Sequence, residues 1–165
     1  MTNPTIPATP LVIRLATEAD LVPLIALINS AFAMESFFEG PRTDVERLTE
    51  TMRKGEILVY ENDACQLPGC VYIENRGQRG YLGMLAIDPL YQGRGLARPL
   101  MAAGEERLRQ QGCEAVDITV LSMRPELPPI YRRYGYSESG TEEFHSSRPL
   151  KPGVECHCIV MCKRL

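Results

Sequence analysis

The chain has 165 residues, of which 44% are hydrophobic and 24% charged, and its formal net charge is -3. That length and apolar share describe one domain with a full core and leave no room for a second. The charge provides no basic field for nucleic acid, and the longest apolar run, near Leu21 to Ile28, is interrupted by Pro23 and is far shorter than the roughly 18 to 20 residues of a membrane span. Neither nucleic acid nor a membrane is therefore expected as a partner. The opening MTNPTIPATP has no basic residue and no apolar signal core, so residues 1–10 read as a disordered leader to a single domain over 11–165, with the cytosol as the expected compartment. Six cysteines form no C-x-x-C pair, and two histidines give little help, so no metal is expected.

In chain order, Leu11 to Leu15 is a short apolar run, and Thr17 followed by Glu18 and Asp20 is a helix start with acid in its first turn. Leu21, Leu24, Ile25, Ile28 and Phe32 recur at helical spacing, which predicts an amphipathic helix over 18–33. The loop ESFFEGPR follows, then a second helix from about Thr43 to Lys54 that Gly55 ends. Extended segments at 57–60, 69–74 and 80–87, separated by turn residues, read as an antiparallel meander. Leu96, Leu100, Met101, Gly104 and Leu108 mark a helix ending near Gly112, and 115–121 is a buried strand. This strand-helix-strand passage demands a parallel pairing. A short helix over 128–134 and strands near 137–144 and 156–163 complete the chain. In the last, period two places Cys156, Cys158, Val160 and Cys162 on one face, as small buried thiols.

One stretch stands apart chemically: Asp88-Pro89-Leu90-Tyr91-Gln92-Gly93-Arg94-Gly95-Leu96-Ala97, between a predicted strand and a predicted helix. Two glycines and a small alanine let the backbone approach a ligand closely, and a helix start aims unpaired N–H groups and a positive dipole end at it. The stretch lacks the Gly-Lys-Ser/Thr ending of a nucleotide P-loop and the spacing of a dinucleotide fingerprint. Pro99 places the start of the helix near Ala97 or Arg98.

Gln92, Gly95 and Ala97 match the Gln-x-x-Gly-x-Ala loop of the GNAT family of N-acetyltransferases, which the chain resembles over nearly its whole length after residue 10. IRLATEAD resembles the family's opening strand and helix, YLGMLAIDP its central strand, and IYRRYGY its Tyr-x-x-x-Gly-aromatic motif. The resemblance implies a mixed, mostly antiparallel sheet of six or seven strands flanked by about four helices, with a splayed parallel pair formed by the strands ending at Ile87 and starting near Ala115. It implies acetyl-CoA as cosubstrate, its pyrophosphate on the backbone of Gly93, Arg94, Gly95, Leu96 and Ala97 after Gln92, and its pantetheine arm paired with Leu85, Ala86 and Ile87. Arg94 and Arg98 would add contacts to phosphate. The chain departs from the pattern at Arg124, where many members carry an asparagine.

Direct acetylation needs a neutral amine, while a lysine-like amine has a pKa of about 10.4, so a carboxylate is expected to take a proton directly or through water. Glu74, at the end of the strand before the central one, is the first candidate, with Glu35 and Glu39 behind it. By its place in the motif, Tyr131 is implied as the donor to the leaving thiolate. Family architecture implies that the loop between the first two helices borders the acceptor, so Phe37, Phe38 and Arg42 would line that side, with Arg42 able to clamp a carboxylate or phosphate. The expected activity is acetyl transfer to a primary amine of a small molecule or peptide, by a monomer or homodimer. The alternative is a catalytically silent acyl-CoA-binding regulatory module.

Overall fold

The computed structural model of the chain describes residues 10–146 and 148–165. The expected leader therefore lies, apart from Pro10, outside the described residues. Among the described residues seven strands form one sheet: β1 (Val12–Leu15), β2 (Glu56–Glu61), β3 (Gly69–Arg76), β4 (Arg79–Ile87), β5 (Ala115–Leu121), β6 (Ser137–Glu143) and β7 (His157–Arg164), in the order β1-β2-β3-β4-β5-β7-β6. β2, β3 and β4 form the expected antiparallel meander, and β4 and β5 are the parallel neighbours.

Helices cover both faces. α1 (Leu21–Ala31) and α2 (Val45–Lys54) lie on one, where Leu24, Leu27, Ile28 and Leu48 are buried with Ile57, Val59, Cys70, Tyr72 and Ala86. α3 (Ala97–Gln110) covers the other, burying Leu100, Met101 and Leu108 with Val71, Ile73, Leu82, Val116 and Ile118. α4 (Leu127–Arg133) adds Leu127 and Tyr131 to that second layer. The alternation along β3 decides the division: Cys70 and Tyr72 face α1 and α2, whereas Val71 and Ile73 face α3.

Two boundaries and one burial pattern differ from the sequence reading in ways that have local reasons. The expected helix over 18–33 is split into a 3-10 turn, Glu18–Asp20, followed by α1. Within one continuous helix the Pro23 ring would strike the carbonyl of Ala19, whereas in the first turn of α1 its missing N–H costs nothing. α2 begins at Val45 rather than Thr43, because the Asp44 carboxylate accepts from the Arg47 N–H at 2.9 Å and acts as the N-cap. The strict two-residue period expected for the last strand fails: within β7 Cys158 and Met161 are buried, while Cys162 is half-buried and Cys156 precedes the strand. Both edges of β7 are paired, to β5 and β6, while Ile159, Val160 and Cys162 on its two faces are all half-buried, so neither face is cleanly the buried one. All six cysteines are free thiols.

The candidate acetyl-transfer cleft

β4 and β5 pair only over Arg79↔Ala115, Gly80↔Val116 and Tyr81↔Asp117. Beyond Tyr81 they diverge, although β4 runs to Ile87 and β5 to Leu121. The closed end is fastened by an ion pair, Arg79 Nε to Asp117 Oδ2 at 2.7 Å, and by the Glu114 N–H on the Gln78 carbonyl at 2.7 Å. Just past the last pair the Tyr81 hydroxyl lies 3.2 Å from Thr119 Oγ1 and spans the start of the gap.

A bulge opens the cleft. Between the pairs Tyr72↔Gly83 and Cys70↔Ala86, β4 carries one residue more than β3, and Met84 takes φ 48° to absorb it. The extra residue bends β4 away from its neighbour. The cleft-side edge of Leu85 to Ile87 thereby lies beyond the three-residue ladder, with backbone polar groups available to an extended, amide-bearing chain.

The glycine loop stands where β4 ends and α3 begins. Gly93 and Gly95 have φ of 77° and 74°, and no atom lies within 4 Å of where a Cβ on either would stand. That combination is a cradle: backbone conformations that disfavour side chains, facing open space. Asp88 shapes the approach by accepting from the Leu90 N–H at 2.8 Å, and the Gln92 side chain donates to the Ile87 carbonyl at 3.1 Å. Tyr60, on β2, donates its hydroxyl to the Leu96 carbonyl at 2.8 Å and pins the junction from below. α3 begins at Ala97, as Pro99 requires, so the proline occupies the first turn and removes no intrahelical bond. Arg94 donates to the Leu90 carbonyl at 3.1 Å, and Arg98 lies 5.7 Å from the Tyr134 ring centroid.

Tyr131, on α4, is half-buried, its ring edge-on to Tyr134 and Tyr136 at centroid distances of 6.4 and 6.1 Å. Burial pushes its phenol up to about 12 against the pull of the Arg124 charge, so it stays a proton donor at neutral pH. Tyr60, Tyr72 and Tyr136 commit their hydroxyls to Leu96, Glu74 and Glu105, respectively.

Glu74 is paired in register with Tyr81, one strand away from the closed end of the cleft. Its carboxylate accepts from the Tyr72 hydroxyl at 2.7 Å and from Arg76 Nε at 3.1 Å. Arg76 holds its pKa below the ordinary value, against a smaller opposing effect of burial. Glu74 is thus ionised at neutral pH but weakly basic. The other two carboxylates named from sequence sit differently. Glu35 is 4% exposed and ion-paired to Arg124 Nη1 at 3.1 Å and Arg148 Nη1 at 3.4 Å, so both its oxygens are committed, while Glu39 is exposed.

The loop between α1 and α2 is fastened at several points. Asn29 makes a reciprocal pair with the backbone of Thr43, donating at 3.0 Å and accepting at 2.9 Å. Phe38 forms an antiparallel bridge with Leu150, and the Glu39 N–H donates to the Pro149 carbonyl at 2.9 Å. Phe38 itself is buried, packed at tilted angles against Phe37 and Phe144 and covered by the Arg148 guanidinium at 4.3 Å, so its ring holds the loop together. Phe37 and Arg42 remain half-buried on the same loop.

The matched pattern of the acetyltransferase (GNAT) domain covers residues 29–147 of this chain, more than half of it. The chain belongs to the GNAT acetyltransferase family. As a GNAT protein it is an acyltransferase, and its sheet with one splayed parallel pair is the fold of its structural neighbours. It is 32% identical over 100 residues to the mycothiol acetyltransferase of Propionibacterium freudenreichii, a match covering 58% of this chain but only 31% of that longer protein. It is 26% identical to the S-alkylcysteine N-acetyltransferase of Bacillus subtilis, over 93% of this chain and 91% of the relative. The spermidine N-acetyltransferase of Vibrio cholerae, solved in complex with CoA and spermine, superposes with a TM-score of 0.73 at 20% identity, covering 93% of this chain and 95% of the other.

Of the residues named from sequence, the GNAT fold brings Leu85 to Ile87 to the cleft edge and Gln92 to Arg98 to its mouth. Sequence reasoning did not find the Met84 bulge, Tyr81 at the closed end, or the three-loop junction of Glu35, Arg124 and Arg148. Arg124 did leave a signal, as the departure from the family pattern. Its guanidinium ties the loop before α4 to the loop after α1, a task that an asparagine is too short and uncharged to perform. Among the described residues no cluster of side chains is suited to a metal ion, and no helix is long and apolar enough to cross a membrane.

Proposed function

We propose that this chain transfers the acetyl group of acetyl-CoA directly to a primary amine of a small molecule or peptide. The observation that carries the reading is the β4–β5 cleft with a glycine cradle at its mouth, a site shaped for an extended amide chain ending in phosphate. The names of two relatives, an S-alkylcysteine and a spermidine N-acetyltransferase, support an amine as acceptor.

Acetyl-CoA supplies an activated acyl group on a thiol leaving group. In the proposed assignment the backbone N–H groups of Gly93 to Ala97 hold its pyrophosphate, with Arg94 and Arg98 adding charge, and Leu85 to Ile87 pair with the pantetheine amides. Tyr131 donates a hydrogen bond to the sulfur as its charge develops. Glu74, kept ionised by Arg76, takes the amine proton through water. Phe37 and Arg42 form the acceptor wall, which Phe38 braces.

An acceptor screen with acetyl-CoA that follows free thiol tests the proposal. Turnover with any amine excludes the silent binding module, and thiol release that no amine stimulates overturns the transfer. The role of Glu74 has its own signature. Glu74→Gln should lower the rate most near neutral pH and recover in part as rising pH deprotonates the amine in solution, toward its pKa of about 10.4. An unchanged pH profile would assign proton removal to solvent.

A further inference from the structure

Three arginines from three separate stretches of chain meet at the loop between α1 and α2: Arg42 lies on it, before α2, while Arg124, before α4, and Arg148, between β6 and β7, both pair with its Glu35. Arg124 is satisfied by Glu35 and Glu126, and Arg148 by Glu35 and the Gly40 carbonyl at 3.3 Å. Arg42 differs. Among the described residues, which include every carboxylate of the chain, no carboxylate lies within ion-pair distance of it. Its guanidinium stacks 5.2 Å from the Phe32 ring centroid, and burial is the largest influence on it, lowering its pKa against the attraction of Glu35.

A desolvated guanidinium without a counter-charge is costly, and proteins rarely keep one without a partner. Yet no fully buried polar side-chain atom among the described residues lacks a hydrogen-bond partner, so the free nitrogens of Arg42 are reachable from solvent. They are also held in place: the Asn29–Thr43 clasp fixes the backbone next to Arg42, and the guanidinium rests over the Phe32 ring. Phe32, under Arg42, packs on the same apolar cluster as Tyr81 at the closed end of the cleft and Met84 at the bulge, which places Arg42 on the α1–α2 side of the sheet, next to β4.

We propose that the acceptor carries a carboxylate beside its primary amine, an amino acid in chemical class, and that Arg42 binds this carboxylate; the proposal rests on the acetyl transfer inferred above. The charge balance selects a monoanion. Three guanidiniums against the carboxylates of Glu35 and Glu126 leave one positive charge unmatched, which one carboxylate neutralises and a dianionic phosphate overshoots. The planar fork of arginine also matches a carboxylate through two parallel hydrogen bonds. Arg42 is a specificity residue in this assignment and exchanges no proton.

The test compares each proteinogenic L-amino acid with its own carboxamide, which keeps the amine and removes the anion. Thiol release gives kcat/KM for both members, and calorimetry on protein saturated with coenzyme A gives their affinities. The expected result is an acid preferred over its amide about tenfold, with Arg42→Gln reducing that preference to less than threefold through KM, and Arg42→Lys restoring part of it. Melting temperatures confirm that both variants are folded. Amides used as well as acids, or a preference that survives in Arg42→Gln, overturns the carboxylate assignment and leaves acetyl transfer standing. If no amine is turned over, transfer itself fails and calorimetry decides the carboxylate site: acid binding that requires Arg42 upholds it, and equal or absent binding of acid and amide overturns it.

Discussion

Tyr131→Phe should lower kcat 10- to 100-fold, about 1.4 to 2.7 kcal/mol of transition-state stabilisation, with little change in acetyl-CoA affinity. The asymmetry follows from when the hydroxyl acts. A donor that meets the sulfur only as negative charge develops there stabilises the transition state more than the bound reactants, so the loss falls on kcat. The substitution is clean structurally, because the ring carries the edge-on contacts to Tyr134 and Tyr136 and phenylalanine keeps it. Thermal unfolding, calorimetry with acetyl-CoA and steady-state kinetics on one preparation decide the matter. An unaltered kcat removes Tyr131 from the chemistry, and a loss that tracks melting temperature makes it a packing residue.

Gly95→Val should weaken acetyl-CoA binding at least tenfold, about 1.4 kcal/mol or more. Two effects act in the same direction. The side chain would fill the open space of the cradle, and φ of 74° is a conformation that a β-branched residue adopts only with strain of roughly 1 to 3 kcal/mol. The strain separates this residue from a simple steric block, because the variant should also show a lower melting temperature or a rearranged loop without any ligand. Calorimetry that gives parent and variant equal affinity, or a parent that binds NAD but not coenzyme A, would count against the cradle.

The elements legible from sequence were those whose signal is local. β5 matches its predicted range, 115–121, because Val116, Ile118 and Val120 alternate cleanly beside polar neighbours. The glycine loop was legible because positive φ is a demand on one residue at a time, met at Gly93 and Gly95. Strand order was legible where the connection dictates it, as in the parallel β4–β5 pair, but side-chain pairing across long separations was not. The ion pairs of Glu35 join residue 35 to 124 and 148, and nothing in the spacing of those residues indicates that the folded chain brings them together. The Met84 bulge was hidden for a different reason: a methionine carries no preference for positive φ, and the register mismatch with β3 imposes it. Arg42 was named from its place on the loop, but its lack of a counter-charge is a property of the assembled site and has no counterpart in the sequence.

A sheet that parts in its middle has four edges where its strand order counts two. Beyond the pair Tyr81↔Asp117, β4 and β5 each present an unprotected backbone to the cleft, the kind of edge by which strands of different molecules zip together. Outer edges are commonly guarded by charge or proline, and this inner one is made largely of Leu82, Met84, Leu85 and Ile87. The kink at Met84 supplies the guard, because it breaks the straight run that an invading strand would need in order to stay in register. The bend that opens the cleft also denies a straight strand a continuous template, so a variant that straightens β4 is expected to self-associate as well as to lose its cleft.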